Sequence, residues 1–185
     1  MRIIAGKYRG TALANVGKGD AGAHLRPTSD RVRESLFSML THHDVIMGAR
    51  VLDLFAGTGA LGLEALSRGA QDVCFVENGR TGQRLITENI TKLRVEGETV
   101  LMRNDATRLG MWPNAAFDLV FLDPPYGKGM GEKALKAARG GGWIAPGAMV
   151  VWEESAPMQA PEGFTRIDTR KYGDTHVTLL NLGSV

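Results

Sequence analysis

Asp123-Pro124-Pro125-Tyr126 closes the apolar run Phe117-Asp118-Leu119-Val120-Phe121-Leu122, and few chemistries call for that tetrapeptide. An amino group conjugated to a nucleobase ring is planar and a poor nucleophile. A site that methylates it must accept its N–H bonds and hold its lone pair toward an electrophile. A carboxylate at Asp123 and the backbone carbonyl of Pro124 supply such acceptors. The prolines fix φ and stiffen the turn, and Tyr126 offers a flat face on which an extruded base can stack. The pattern points to methylation of an exocyclic amine. Asp-Pro turns are also common punctuation after buried strands, so a purely structural turn stays open on this motif alone.

A second motif narrows the chemistry. Val51-Leu52-Asp53-Leu54-Phe55 reads as a strand and leads through Ala56-Gly57-Thr58-Gly59-Ala60-Leu61-Gly62 into a helical pattern. Gly57 and Gly59 permit a tight turn with backbone close to a ligand, and the helix opening near Ala60 aims its N–H groups at whatever binds. Gly57-x-Gly59-x-x-Gly62 is also, literally, a dinucleotide fingerprint. Glu77 lies where an acidic residue would bind a ribose, so a nicotinamide cofactor is an alternative. Asp53 argues against it, because a carboxylate just ahead of the loop suits an ammonium better than a pyrophosphate. S-adenosylmethionine brings no phosphate and carries an ammonium and a sulfonium, for which carboxylates and aromatic faces are the logical partners.

These residues need a scaffold that gathers them. Strands are expected near 50–55, 73–77, 98–103, 117–122 and 148–153, with helices near 60–68, 80–95 and 131–139, so the alternation implies a parallel sheet with right-handed crossovers. Phe164 to Lys171 and Thr175 to Leu182 flank Tyr172-Gly173-Asp174 as an antiparallel hairpin. The expected fold is α/β, Rossmann-like, with a mostly parallel seven-stranded sheet ending in that hairpin and a small N-terminal β-hairpin over residues 2–14. In such sheets ligands bind at the carboxyl ends of the strands. Asp53 with the glycine loop, Glu77, Asn104-Asp105-Ala106 and Asp123-Pro124-Pro125-Tyr126 fall at four successive ends, which argues for an enzyme. Capping of the following helices is the structural alternative for Asp53, Glu77 and Asp105.

The chain has 185 residues with 43% hydrophobic content, enough for one domain of sizeable core, here 26–185, preceded by a basic arm over 1–25. Net charge is +2, but residues 1–33 hold seven Lys/Arg against two Asp/Glu and the remainder fifteen against eighteen. Arg2, Lys7, Arg9, Lys18, Arg26, Arg31 and Arg33 make this end the candidate polyanion contact, in a glycine-rich segment that need not pack like a core. A solvated leader is the alternative. Pro27-Thr28-Ser29-Asp30 starts a helix whose apolar face is Val32, Leu36, Phe37 and Leu40, leaving Arg31, Arg33 and Glu34 to face outward or toward a ligand. Cys74 is the single cysteine and reads as buried and structural. The four histidines show no metal-ligand spacing, so no metal is expected. No stretch could span a bilayer, which makes a cytoplasmic protein the expectation.

The chain resembles class I S-adenosylmethionine-dependent methyltransferases and, within them, the bacterial 16S ribosomal RNA (guanine-N2)-methyltransferase family. The likeness runs from Arg2-Ile-Ile-Ala-Gly-Lys-Tyr-Arg-Gly10 through Arg26-Pro-Thr-Ser-Asp-Arg-Val-Arg33 and the Asp53 to Ala70 run to Phe75-Val-Glu77 and Asp123-Pro-Pro-Tyr126. The glycine loop marks only the superfamily and Asp-Pro-Pro-Tyr only amino-group methylators; the basic hairpin followed by Arg-Pro-Thr and a helix narrows the match. The resemblance implies that Gly57 and Gly59 contact the methionine part with Asp53 near its ammonium. Glu77 would accept from both ribose hydroxyls and Asp105 would read the adenine amine, with Phe55, Asn78 and Ala106 completing the cofactor site. Asp123 and the Pro124 carbonyl would hold guanine N2 in line with the sulfonium methyl, and Tyr126 would stack on the base. Arg2, Lys7, Arg9, Arg26, Arg31 and Arg33 would contact RNA. The implied partner is 16S ribosomal RNA, naked or within the assembling small subunit, met by a monomer. Adenine N6 methylation of DNA or RNA, and a binding module without catalysis, are the competing readings.

Overall fold

Alternating strands and helices wind into a sheet of order β3-β2-β1-β4-β5-β7-β6 in the computed structural model, which describes residues 1–17 and 28–184. The elements are α1 (Asp30–His42), β1 (Arg50–Leu54), α2 (Ala60–Ser67), β2 (Asp72–Val76), α3 (Arg80–Leu93), β3 (Thr99–Met102), β4 (Phe117–Leu122), α4 (Met130–Gly140), β5 (Ile144–Glu154), β6 (Phe164–Tyr172) and β7 (Thr175–Leu182). β1 through β5 run parallel, and β7 pairs antiparallel with both β5 and β6. Strand order reverses between β1 and β4, where a crevice opens at the carboxyl ends. The expected elements are present with ends shifted by a residue or two. β5 is the exception, starting at Ile144 because a register shift against β4 accommodates extra residues before Met149.

Period-two alternation sends each strand's apolar residues to both faces. Val51, Phe75, Leu119 and Phe121 meet α1, α2 and α3 residues on one side, while Leu52, Leu54, Val120 and Leu122 meet α4 and Trp152 on the other. Cys74 is buried, and its thiol is pushed up to about 12, first by desolvation, which fits an inert packing role. No helix among the described residues is long and apolar enough to cross a membrane.

The N-terminal hairpin expected over residues 2–14 forms, but it packs into the core, which was not expected of the basic arm. Arg2 bridges Ala12, and Ile3 N–H donates to the Thr11 carbonyl, so a hairpin forms with its turn across Gly6 to Gly10. Ile3 and Leu13 are buried in the core beside α2. The buried Glu64 of α2 accepts the Ile4 and Ala5 amides at 2.8 and 3.1 Å and the Arg68 guanidinium at 2.8 Å. Gly6 has φ +84°, and a Cβ there would stand 1.9 Å from the Ser67 carbonyl oxygen, so only glycine lets the hairpin lie against the end of α2. The expected boundary at residues 25 and 26, with Lys18, His24, Arg26 and Pro27, lies outside the described residues.

Arg33 requires a second correction. It is 1% exposed, donates to the Arg2 carbonyl and to Asp30 at 2.7 Å each, and lies 3.7 Å from Glu64. The outward orientation expected of it fails because Arg33 sits three and four residues before Leu36 and Phe37, on the helix's buried stripe. Buried in this way, Arg33 presents no charge to an RNA at the surface. Arg31 and Glu34 do face solvent, as expected.

Candidate active site

Four strand ends are tied into one rim by backbone hydrogen bonds. Ala56 N–H donates to the Val76 carbonyl, Glu77 N–H to Met102, and Asp123 N–H, at a long 3.5 Å, to Leu54. β1 ends at Leu54, and Phe55 follows with φ +58°, a left-handed conformation that costs a non-glycine residue on the order of 1 kcal/mol and clusters at ligand sites. Gly59 follows at φ +78° as the N-cap of α2, with its amide closing a turn on the Ala56 carbonyl at 2.8 Å. Gly62 serves packing, because a Cβ there would lie 2.6 Å from the Phe75 ring and 2.7 Å from Val73. The third glycine of the motif thus seats α2 against β2, its backbone amide held by Asp53.

Asp53 is 2% exposed, and its carboxylate accepts the Gly62 N–H at 2.9 Å, inside the first turn of α2. Burial pushes this carboxyl well above the ordinary aspartate range. The Gly62 amide opposes that shift, and the neighbouring carboxylates of Asp123 and Glu77 add to it. Glu77 is half-buried and accepts the Gly57 amide at 2.8 Å and the Gly79 amide at 2.7 Å, so it clamps the glycine loop to the end of β2. Asn78 next to it is exposed. Asp105 caps the short turn Ala106–Arg108; the Thr107 hydroxyl and amide, at 2.7 and 2.9 Å, hold its carboxyl below the usual range. Ala106 is buried in the core. All three carboxylates therefore make the capping contacts weighed as a structural alternative, and all three stand along the same rim.

Asp123-Pro124-Pro125-Tyr126 follows β4 directly, across the crevice from the glycine loop. Pro124 is buried, while Asp123 and Tyr126 are half-buried. The Tyr126 hydroxyl lies 3.1 Å from the Thr175 hydroxyl on β7, and the Gly127 amide donates to Glu154 of β5 at 3.1 Å. The tail hairpin thus fixes the loop from below. Three positioning residues stand outside the motifs, and of these only Glu154, at the end of the fifth strand beside the pocket, was visible to the sequence reading. Glu154 braces the loop after Tyr126, the buried Asn89 of α3 joins the Ala14 backbone to the Thr58 carbonyl, and Glu64 docks the hairpin. The signals existed for two of them: Glu64 is the one acid in an otherwise apolar helix, and Asn89 interrupts the buried stripe Leu85, Ile86, Ile90, Leu93. Lys7, Arg9 and Arg31 are exposed, and Arg2 pairs with Asp30 at 2.9 Å.

A sheet of this order, with its glycine loop after β1 and acidic residues at the next two ends, defines the Rossmann-like methyltransferase fold. Solved structures agree: a putative methyltransferase from Escherichia coli superposes with TM-score 0.84 at 32% identity over 100% of this chain and 99% of that one. A putative methylase from Haemophilus influenzae superposes with TM-score 0.79 at 31% identity, covering 99% and 98%. The chain belongs to the family described as conserved hypothetical protein 95, whose model matches residues 1–181. Its relatives include ribosomal RNA small subunit methyltransferase D of Escherichia coli, 36% identical over 87% of this chain and 78% of that protein. The Haemophilus influenzae protein of the same name is 35% identical over 94% and 89%.

Proposed function

We propose that this protein methylates the exocyclic N2 amine of a specific guanine in 16S ribosomal RNA, with S-adenosylmethionine as donor. The observation that carries the reading is the placement of Asp123-Pro124-Pro125-Tyr126 across the crevice from a glycine loop surrounded by carboxylates. The site suits that cofactor. The buried Asp53 carboxylate already feels Asp123 and Glu77, a field that favours a cationic ligand and disfavours a pyrophosphate. When bound, S-adenosylmethionine supplies an electrophilic methyl group on a sulfonium. Asp53 would hold the ammonium, Glu77 would exchange or share its amide partners with the ribose hydroxyls, and Asp105 would accept from the adenine amine. Phe55, Gly57, Gly59, Asn78 and Ala106 line the same rim.

Asp123 and the Pro124 carbonyl accept the two N–H bonds of the guanine amine, which aims its lone pair at the methyl carbon. Tyr126, anchored through Thr175, gives the extruded base a stacking surface. With the donor bound, Asp123 or water would take the proton that the amine loses on methylation. No covalent enzyme intermediate and no metal enter this route. The relatives named for small-subunit ribosomal RNA support the choice of substrate. The test is transfer of labelled methyl groups to 16S RNA from a strain lacking the activity, followed by nucleoside mass spectrometry. N2-methylguanosine is the expected product; label on adenine N6 would keep the pocket chemistry and sink the guanine assignment.

A further inference from the structure

An open groove of about 920 Å³ runs along the outer face of α3, away from the amine-binding loop. Its lining includes Arg80, Gln83, Arg84, Glu88, Lys92 and Arg103. Arg80, Arg84, Glu88 and Lys92 recur every four residues, which sets them on one side of the helix over roughly 18 Å of its axis. Arg103 adds a fourth cation from the end of β3, the edge strand of the sheet. Four cations face one carboxylate, Glu88, whose contact with Arg84 is a long 3.7 Å between two exposed side chains and holds little energy. The remaining lining is threonine and glutamine, with no hydrophobic side chain among it.

The groove's lining adjoins the cofactor end of the rim. Gln83 donates to the Glu77 carbonyl at 2.9 Å, Arg80 follows Glu77 by three residues, and Arg103 precedes Asp105 by two. β3 and β4 are three strand spacings apart, about 14 Å, a gap that a few nucleotides of single-stranded RNA bridge. We infer that this groove holds the sugar–phosphate backbone of the substrate RNA next to the methylated nucleotide. The inference rests on the RNA reading above. It predicts a phosphate track separate from the N-terminal hairpin, with charge complementarity supplying affinity and no base readout.

The test is the triple variant Arg80→Gln, Lys92→Gln, Arg103→Gln, assayed with in vitro transcribed 16S RNA across a salt series. Removing three phosphate contacts flattens the slope of log affinity against log salt by about two, at roughly 0.7 per contact for single strands. Affinity at low salt falls about tenfold or more, with S-adenosylmethionine affinity by calorimetry kept within twofold. Glu88→Gln moves the other way and tightens RNA binding by about threefold. An unchanged slope in a wild-type background that binds and methylates the RNA would overturn the groove and leave the function standing. A flattened slope without any N2-methylguanosine in the wild-type reaction supports the groove and sinks the function. Wild-type protein that binds no RNA overturns both.

Discussion

Burial raises the Asp53 carboxyl well above the ordinary aspartate range, and Asp123 and Glu77 push it further despite the Gly62 amide. A carboxyl raised on folding contributes stability that is complete below its unfolded value and is lost as pH rises through the folded one. Above that folded value, an ionised Asp53 strains the ligand-free protein. Asp53→Asn keeps an acceptor for Gly62 and cannot ionise, so it should raise the melting temperature by a few degrees on the alkaline side of the raised value, with the gain vanishing as pH falls through it, while abolishing cofactor binding. A lower melting temperature would show that the charge is satisfied in the fold. The same conflict makes cofactor affinity pH-dependent. An arriving ammonium favours the ionised carboxyl, so affinity weakens as pH falls through the raised value, and binding in that window releases a proton. Calorimetry in buffers of different ionisation enthalpy detects that proton, and buffer-independent heats would remove Asp53 from the ammonium site. Asp123 stands apart from this role. Asp123→Ala should cut methyl transfer by at least about a hundredfold, the scale set by lost acceptors and positioning. Cofactor affinity should stay within several-fold, and retained turnover would take Asp123 out of catalysis.

At the scale of elements, strand and helix identity is legible because the apolar periods change cleanly from two to 3.6 along the chain and glycines mark the exits. What the sequence hides is which charged residues turn inward. Arg33 and Glu64 look like surface residues by type, yet one lies on the stripe of Leu36 and Phe37, and the other on a helix buried along its whole length. Their meeting depends on a hairpin docked from 60 positions away in sequence, as in the bond from Ile4 to Glu64, and no local pattern carries that contact. Gly6 is the hinge of this docking. Gly6→Ala combines a left-handed φ with backbone overlap at Ser67, so it should cost about 2–4 kcal/mol. Amide exchange would then speed up selectively in residues 2–14 and in α2. Uniform loss of protection across the sheet would mean that the hairpin is an integral part of the main fold, with no local undocking.

Over the whole molecule, the crevice at the strand-order reversal was within reach of sequence reasoning because four motifs point to successive strand ends. The charge distribution was only half legible. A basic N-terminal run is visible in the counts, but its cations divide in three dimensions: Arg33 is buried, Arg2 is paired with Asp30, and Lys7, Arg9 and Arg31 remain exposed. These three are surface cations of the hairpin and α1 that stand clear of the Arg2–Asp30 pair, whose Arg2 is itself exposed. Replacing them together with Gln leaves the Arg2–Asp30–Arg33 contacts intact, so lost affinity cannot be blamed on an undocked hairpin. The expected result is weaker 16S RNA binding and a salt slope flatter by about two to three, with cofactor binding unchanged. Because this surface and the α3 groove are held on different elements, their effects on binding free energy should add within about 0.5 kcal/mol when the two triple variants are combined. Strong non-additivity would instead place both sets of cations on a single phosphate track; an unchanged slope in the Lys7, Arg9, Arg31 variant would return the hairpin to a purely structural role.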